Sequence, residues 1–262
     1  MKKVFALVLA LVLALCASAA LADTFRMGID AEYPPFSYLD DNGQYAGFDV
    51  EMCTAVCEMN GWELEIVPVN WDQKLRSLDA GEHDCIWSGM TITKAMRDEG
   101  YVLSIPYYDS VQVVMTTADS GITTLADLAG KAVAVQLGTS GEFMLEDESE
   151  DGQKALADTF AGGAAQLMEN FTVCATELAA GGVDAVVIDK PNADTQMTKF
   201  PNFVLLAEEL GHEQYGICFR KGDDALCAQV EESIKKLVED GTYKALAEKY
   251  ELELKNMCLL AE

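Results

Sequence analysis

The chain has 262 residues and a formal net charge of −26, and half of its residues are hydrophobic. The hydrophobic half excludes a disordered acidic protein, and the strong negative charge argues against nucleic acid and anionic membrane surfaces as partners. We therefore expect a globular protein, long enough for one large domain or two modest ones.

The first 22 residues have the pattern of a secretory signal. Lys2 and Lys3 precede an apolar run that ends at Leu15, and the small-residue sequence Ala-Leu-Ala ends at Ala22. The run is too short for a transmembrane helix, and no other stretch could span a membrane. We expect cleavage after Ala22 and secretion to the periplasm or cell surface. Cys16 leaves a lipoprotein anchor open, although a lipobox has a small residue before the cysteine.

The first half of the mature chain alternates predicted strands with predicted helices. Apolar patterns and turn signals predict strands over 24–30, 62–67 and 85–87, and helices over 49–61 and 70–81. Asp49 and Asn70 have the side chains to cap the two helices. This alternation predicts an α/β fold with a parallel sheet whose ligands bind at the carboxyl ends of the strands.

The second half continues the mixed pattern. It predicts strands over 110–116, 131–135, 182–188, 203–206 and 214–220. Helices are predicted over 124–130, after Gly141, and over 223–240 and 244–250. The longest of these helices is amphipathic, so we expect one of its faces to pack on the core.

The residues that follow the strand at 85–87 suggest a receptor for a carboxylate. Gly89 allows a close backbone approach, and Thr91 and Thr93 carry hydroxyl groups. Arg97 offers a planar fork that fits a carboxylate with two parallel hydrogen bonds. The alternative is a strand, a turn and a surface arginine.

Further candidates follow other predicted strands. Asp30 ends the first strand, and Tyr33 lies on a loop that two prolines hold extended. The loop over 136–141 presents N–H groups and hydroxyls at a helix start, which suits an anion but is also common in ordinary N-cap turns. Asp189 ends a buried strand, where it could meet a ligand or cap the next helix. Trp71 could face a ligand or pack in the core.

Seven cysteines remain after signal cleavage, an odd number for a secreted chain. There is no CxxC pair, and the two histidines lie far apart in the sequence, so we expect no metal site and no cofactor. Free buried thiols are the simplest interpretation, but a disulfide such as Cys218 with Cys227 stays open, since sequence does not fix pairing.

An ordered set of short motifs spans residues 24–250. The motifs are Gly28-Ile-Asp-Ala-Glu-Tyr-Pro-Pro-Phe36, Gly47-Phe-Asp49, Gly89-Met-Thr-Ile-Thr93 with Arg97, Ser104-Ile-Pro-Tyr-Tyr108, Asp127-Leu-Ala-Gly-Lys131, Gly138-Thr139, Asp184-Ala-Val186 with Asp189, Tyr215-Gly216 and Glu239-Asp-Gly-Thr-Tyr243. By this set the chain resembles the extracellular amino-acid-binding proteins of ABC importers, the family 3 solute-binding proteins.

The resemblance implies a two-lobe periplasmic-binding-protein fold of type II, with a mostly parallel sheet in each lobe and two hinge strands. The crossovers would fall near 108–113 and 208–214. The first lobe would comprise 23–109 and, with the C-terminal helices, 208–262; the second would comprise 110–207. The protein would be a monomer that captures a polar or cationic free amino acid and delivers it to the permease subunits of an ABC importer.

The resemblance also implies roles at the ligand. The expected binding residues are Asp30, Tyr33, Trp71, Gly89, Thr91, Arg97, Gln136, Thr139, Ser140 and Asp189. Arg97 with Thr91 and the Thr139–Ser140 loop would hold the α-carboxylate, and Asp189 would accept bonds from the α-ammonium group. Tyr33 and Trp71 would stack on the side chain, Asp30 would meet its tip, and Gln136 stands where the family varies with the ligand.

One departure from the family concerns the arginine. Three residues separate Thr93 from Arg97, where the family usually has two. Counting back from Pro106 keeps Arg97 in the arginine position, and Lys94 is the second choice for the carboxylate.

Two other function classes stay open. Some relatives of these binding proteins dehydrate small carboxylic acids, and Glu32 could serve as a lone acid for such an enzyme. The second alternative is the ligand-sensing domain of a receptor, which usually needs a membrane tether.

Overall fold

The computed structural model describes residues 23–260. The strands are β1 (Thr24–Ile29), β2 (Glu32–Tyr33), β3 (Ser37–Leu39), β4 (Tyr45–Ala46), β5 (Glu63–Pro68), β6 (Cys85–Thr91), β7 (Val102–Leu103), β8 (Tyr108–Thr117), β9 (Val133–Gln136), β10 (Gln166–Met168), β11 (Ala185–Asp189) and β12 (Phe203–Phe219). The helices are α1 (Phe48–Asn60), α2 (Lys74–Asp79), α3 (Lys94–Asp98), α4 (Ser140–Glu146), α5 (Lys154–Ala157), α6 (Phe171–Ala180), α7 (Lys190–Lys199), α8 (Asp224–Glu239) and α9 (Thr242–Lys249). The predicted signal peptide and Cys16 lie outside the described residues.

The strands form two lobes that share one nine-stranded sheet, in the order β10-β9-β11-β8-β12-β6-β1-β5, with β7 beside β12. In the first lobe β1 runs parallel to β5 and β6, and in the second lobe β9 runs parallel to β10 and β11. Helices flank both parts. This is the two-lobe α/β architecture that the sequence predicts, with a small sheet β2-β3-β4 added to the first lobe.

The two long strands β8 and β12 join the lobes as an antiparallel pair. Their register runs from Tyr215 opposite Tyr108 to Phe203 opposite Thr117. The sequence predicts two separate strands over 203–206 and 214–220, and this prediction is wrong because β12 is one strand of 17 residues. Register shifts at Glu209 interrupt its alternation of buried and exposed side chains, so the period-2 signal disappears between the two ends.

The C-terminal helices α8 and α9 return to the first lobe and contact α1. Val230, Ile234 and Leu237 form the buried stripe of α8, as its amphipathic pattern predicts. These side chains belong to the same apolar core as Val56 of α1 and Tyr243 of α9. The chain therefore begins and ends in one lobe, which leaves β8 and β12 as the paired strands between the lobes.

The seven cysteines of residues 23–260 are all unpaired, and six of them are buried. Cys218 and Cys227 form no disulfide. Cys53 and Cys57 share one face of α1, as their spacing predicts. In the same range no helix has the length and apolar character needed to cross a bilayer.

Candidate functional site: a cleft between the lobes

A cavity lies between the lobes, where β6, β9 and β11 end. Eight of the ten predicted binding residues line it: Tyr33, Trp71, Gly89, Thr91, Gln136, Thr139, Ser140 and Asp189. Asp30 lies next to the cavity and contacts Gln136, whereas Arg97 lies outside it. Thr93, a hydroxyl-bearing candidate of the sequence, also lines the cavity, whereas sequence reasoning missed the remaining lining residues, which are Lys74, Met90, Met96, Gly138 and Phe143.

Two aromatic residues form walls of the cavity. Tyr33 is buried, and its hydroxyl group lies 2.8 Å from that of Tyr215. Trp71 is half-buried, so it is not simply a core residue, and the Nζ of Lys74 lies 4.7 Å from the centre of its ring. Asn70 caps the short helical turn that carries Trp71 by accepting a hydrogen bond from Asp72 N, as predicted. Both rings therefore face the space where a ligand side chain would lie.

The polar floor of the cavity contains the buried carboxyl group of Asp189, which is linked to a second buried acid, Glu213, that does not line the cavity. Gln112 Nε2 donates to Asp189 Oδ1 at 2.5 Å and to Glu213 Oε1 at 3.1 Å, and so joins the two. The hydroxyl oxygen of Tyr215 lies 3.2 and 3.3 Å from the same two carboxylate oxygens, and its single proton can be donated to either of them. The side chain of Asp189 makes no cap bond to α7, so the structure does not support a capping role. Its position at the end of β11 leaves it facing the cavity.

The electrostatics of this floor favour a positively charged occupant. Burial raises the pKa of Asp189 well above its usual range, and the nearby Glu213 carboxylate raises it further. No lysine or arginine of the described residues forms an ion pair with either acid. Burying two carboxylates without a nearby cation costs free energy, and a bound ammonium group would offset part of that cost.

Several contacts join the lobes across the cleft. Gln136 of the second lobe donates from Nε2 to Asp30 Oδ2 of the first at 2.7 Å, and its Oε1 accepts from the N–H of Phe171. Lys74 Nζ of the first lobe donates to the carbonyl oxygen of Gly138 at 2.5 Å and to that of Trp71 at 3.1 Å. Burial lowers the pKa of Lys74 to about 8. The structure thus has the lobes in contact around the cavity.

The loop over 136–141 uses some of its hydrogen-bond donors within the chain. Thr139 caps α4, and its hydroxyl group donates to the carbonyl oxygen of Gln136 at 2.7 Å. The N–H of Gly138 donates to the carboxylate of Glu142 at 2.5 Å. A carboxylate of the chain itself therefore occupies part of the predicted anion site.

Arg97, an expected binding residue, lies outside the lining of the cavity. The helix α3 begins after Thr93, whose hydroxyl oxygen accepts from Met96 N, and Met96 lines the cavity. Arg97 is the next residue, and because one residue turns an α-helix by about 100°, its side chain leaves the cleft and is exposed. Lys94, the second choice, is also exposed and pairs with Asp98.

Asp49 accepts a hydrogen bond from the backbone N–H of Gly89, which lines the cavity. The sequence predicts that it caps α1, and this prediction is wrong, because Gly47 is the capping residue and Asp49 lies buried inside the first turn. Its Oδ2 accepts hydrogen bonds from Gly89 N at 2.6 Å and from Tyr107 OH at 2.7 Å. Burial raises the pKa of Asp49 to about 7, even though both hydrogen bonds favour the ionised form.

The raised pKa of Asp49 leads us to expect a pH-dependent free energy of unfolding. The folded chain binds this proton more tightly than the unfolded chain, so the contribution of Asp49 to the free energy of unfolding is largest below pH 4 and declines as the pH rises through 7. Between pH 5 and pH 8 the wild type should lose up to about 3 kcal/mol more than Asp49→Asn. Urea titrations of both proteins at the two pH values measure the difference. Equal losses would mean that Asp49 is ionised at an ordinary pKa.

The sequence matches the family described as bacterial extracellular solute-binding proteins, family 3, over residues 25–253. The L-cystine-binding protein TcyJ of Escherichia coli K12 is 30% identical over 230 residues, which cover 87% of this chain and 82% of TcyJ. An L-arginine-binding protein of Pseudomonas aeruginosa is 31% identical over 235 residues, with 86% of each chain covered.

A solved structure agrees with this relationship. The substrate-binding protein of an ABC uptake transporter from Streptococcus pneumoniae, determined with bound histidine, superimposes with a TM-score of 0.82 at 28% identity. The match covers 87% of this chain and 92% of that one.

Proposed function

Because this chain belongs to family 3 of the bacterial extracellular solute-binding proteins, we propose that it captures a polar, cationic amino acid between its two lobes and delivers it to the permease of an ABC importer. The observation that carries the choice of ligand is Asp189, which lies at the floor of an aromatic-walled cavity, is joined through Gln112 to the buried Glu213 and pairs with no lysine or arginine of residues 23–260. A ligand cation there gains charge-assisted hydrogen bonds that the empty cleft lacks. Tyr33 and Trp71 provide faces for cation–π or apolar contact with its side chain.

A thermal-shift screen tests the ligand class. We expect one or more of L-arginine, L-lysine, L-ornithine and L-histidine to raise the melting temperature, because a ligand that binds only the folded state stabilises it. At 100 times the dissociation constant the shift should be about 5–10 °C. The remaining amino acids serve as controls. If L-glutamate or L-aspartate gave the largest shift, the cationic assignment would be wrong.

We place the first lobe at residues 23–109 and 208–262 and the second at 110–207. The pairing of β8 with β12 supports these limits, because these two strands run between the lobes. The contacts of Gln136 with Asp30 and of Lys74 with Gly138 join the lobes and would have to break for a ligand to enter. A hinge motion within β8 and β12 would separate the lobes and leave the structure of each lobe unchanged.

Ligand-driven closure should be visible in solution. Small-angle scattering should give a smaller radius of gyration with the amino acid found by thermal shift than without it, because the ligand favours the conformation in which the lobes touch. Gln136→Ala removes one contact between the lobes and should bring the two radii closer together, whereas the exposed Leu167→Ala is a control in the same lobe. An unchanged radius in the wild type would contradict hinge closure.

The placement of Met96 and Arg97 gives a paired prediction. Arg97→Ala should leave the affinity for the amino acid within about twofold of wild type, because Arg97 is exposed and outside the cavity. Met96→Ala should weaken binding about tenfold, because it removes apolar surface from the cavity wall. Calorimetry compares the two, with Lys94→Ala as a control on the same helix. A large loss for Arg97→Ala alone would restore the carboxylate clamp that its sequence pattern suggests.

An enzyme on this fold and a ligand-sensing domain are the competing functions. We propose that the protein is not an enzyme. Glu32, the acid that the enzyme hypothesis would use, is exposed and accepts a hydrogen bond from the hydroxyl group of Thr172. Incubation of the protein with its ligand, followed by mass spectrometry, should return the ligand unchanged. Accumulation of a product would favour the dehydratase-like alternative.

We also propose that the chain is secreted, is cleaved after Ala22 and acts as a monomer. Intact-mass measurement of the exported protein should give a chain that begins at Asp23, and a lipid-modified chain that begins at Cys16 would show the anchored form instead. Light scattering of the same preparation measures the oligomeric state.

A further inference from the structure

We propose that the second lobe carries a second binding site, separate from the cleft, that takes a small apolar amine. The site is a cavity of about 160 Å³ between α4, α5 and the loop that leads into β10. A cavity of about 150 Å³ with apolar walls is large enough for one benzene ring. An amine with a single ring or a short branched chain therefore matches the size of this cavity.

The walls of the cavity are mostly apolar. Val135, Leu145 and Ala157 form its inner wall and belong to the buried core of the second lobe. Ala164 and Leu167 lie at its mouth, where the side chain of Leu167 is 49% exposed. An apolar ligand displaces water from this surface, and the removal of apolar area from water favours binding.

Glu142 gives the cavity a preference for a cation. Its side chain lines the cavity and is 6% exposed, and its Oε2 accepts a hydrogen bond from the N–H of Gly138 at 2.5 Å. Its Oε1 accepts no hydrogen bond from residues 23–260, and no lysine or arginine of that range forms an ion pair with Glu142. A buried carboxylate with a free acceptor can bind an ammonium group through a charge-assisted hydrogen bond.

The other charged groups at the cavity favour the same ligand. Burial raises the pKa of Glu142, and the negative charge of Glu146, which also lines the cavity, raises it further. Lys154 lines the cavity too, but its ammonium group pairs with the carboxylate of Asp158. A ligand ammonium group therefore meets two acids and a lysine that is already neutralised, whereas a ligand carboxylate would be repelled.

Methyl NMR of the isotope-labelled protein tests the site, with benzylamine as the probe. The signals of Leu145 and Leu167 report on the cavity, and those of Met90 and Met96 report on the cleft. We expect benzylamine to shift the Leu145 and Leu167 signals saturably at concentrations up to about 20 mM. Benzyl alcohol has nearly the same shape without the charge and should bind at least tenfold more weakly. Benzoate should leave both signals unchanged.

Two variants of exposed alanines in one loop test the position of the site. Ala164→Leu fills the mouth of the cavity and should weaken benzylamine binding at least tenfold, whereas Ala161→Leu, outside the cavity lining, should leave it within twofold. Thermal melting checks that both variants fold. Glu142→Gln keeps an acceptor for Gly138 N and should abolish the preference for benzylamine over benzyl alcohol.

Any one of three results would overturn the inference. These are unchanged Leu145 and Leu167 signals in the wild type, equal affinities for benzylamine and benzyl alcohol, and unaltered binding to Ala164→Leu. Shifts confined to Met90 and Met96 would place the amine in the cleft, and would count against a second site while leaving the proposed receptor function intact.

Discussion

Asp189→Asn should reduce the affinity for the amino acid at least 100-fold, or about 3 kcal/mol, because it removes the buried acid that lines the cavity and would pair with the ligand ammonium group. Asparagine keeps the shape of the side chain and one acceptor for Gln112 and Tyr215. A desamino analogue of the ligand should bind the wild type poorly and should lose much less affinity than the ligand when Asp189 is changed, since it lacks the group that the acid recognises.

The same substitution, which weakens ligand binding, should not lower the thermal stability of the ligand-free protein. The raised pKa of Asp189 means that its ionised form destabilises the empty folded chain as the pH rises above the usual carboxyl range. At pH 8 the ligand-free Asp189→Asn protein should therefore melt at or above the wild-type temperature. Asp194→Asn is the matched control, because Asp194 is exposed on α7 and pairs only with Lys190 at 2.6 Å. A variant that both unfolds and fails to bind would show that Asp189 is structural.

Most elements of the fold, and the residues at the ends of its strands, could be predicted from the sequence because they follow from local patterns. Asp189 and Gln136 follow apolar strands, and parallel strands bring their carboxyl ends to one edge of a sheet. Thr139 and Asn70 stand at helix starts, where their side chains accept backbone N–H bonds as expected. In each case the signal lies within a few residues of the position.

The features that sequence reasoning missed depend on distant partners. Glu213 joins the site only because β8 and β12 pair and bring it beside Gln112, 101 residues away. The sequence around Lys74 predicts an ordinary polar residue of a short helix, yet its Nζ donates to the carbonyl oxygen of Gly138 across the cleft. Counting back from Pro106 predicts Arg97 at the cavity, but the cap at Thr93 fixes which residues of α3 face it. A single inserted residue changes which position of α3 faces the cavity and which faces outward. The amino-acid composition does not reveal this change.

Gly89→Ala should lower the free energy of unfolding by about 2–4 kcal/mol and weaken ligand binding. The sequence predicts that something approaches this glycine closely, and the structure identifies the ring of Tyr33. A Cβ atom at Gly89 would lie 2.3 Å from Tyr33 Cε1, and the backbone there has a φ of +52°. Tyr33 cannot easily move away, because it stacks on Phe36 at 5.8 Å and its hydroxyl group bonds that of Tyr215.

Two comparisons separate the steric clash from the backbone strain. Gly43 also has a positive φ, of +73°, but a Cβ atom there would meet nothing within 4 Å, so Gly43→Ala should cost only about 1–2 kcal/mol. Tyr33→Ala removes the ring that the new methyl group would strike. Adding Gly89→Ala to Tyr33→Ala should therefore cost at least about 1 kcal/mol less than adding it to the wild type, a coupling that urea unfolding of the four proteins measures. Equal costs in the two backgrounds would mean that strain at Gly89, and not contact with the aromatic wall, is what requires glycine at the floor of the cleft.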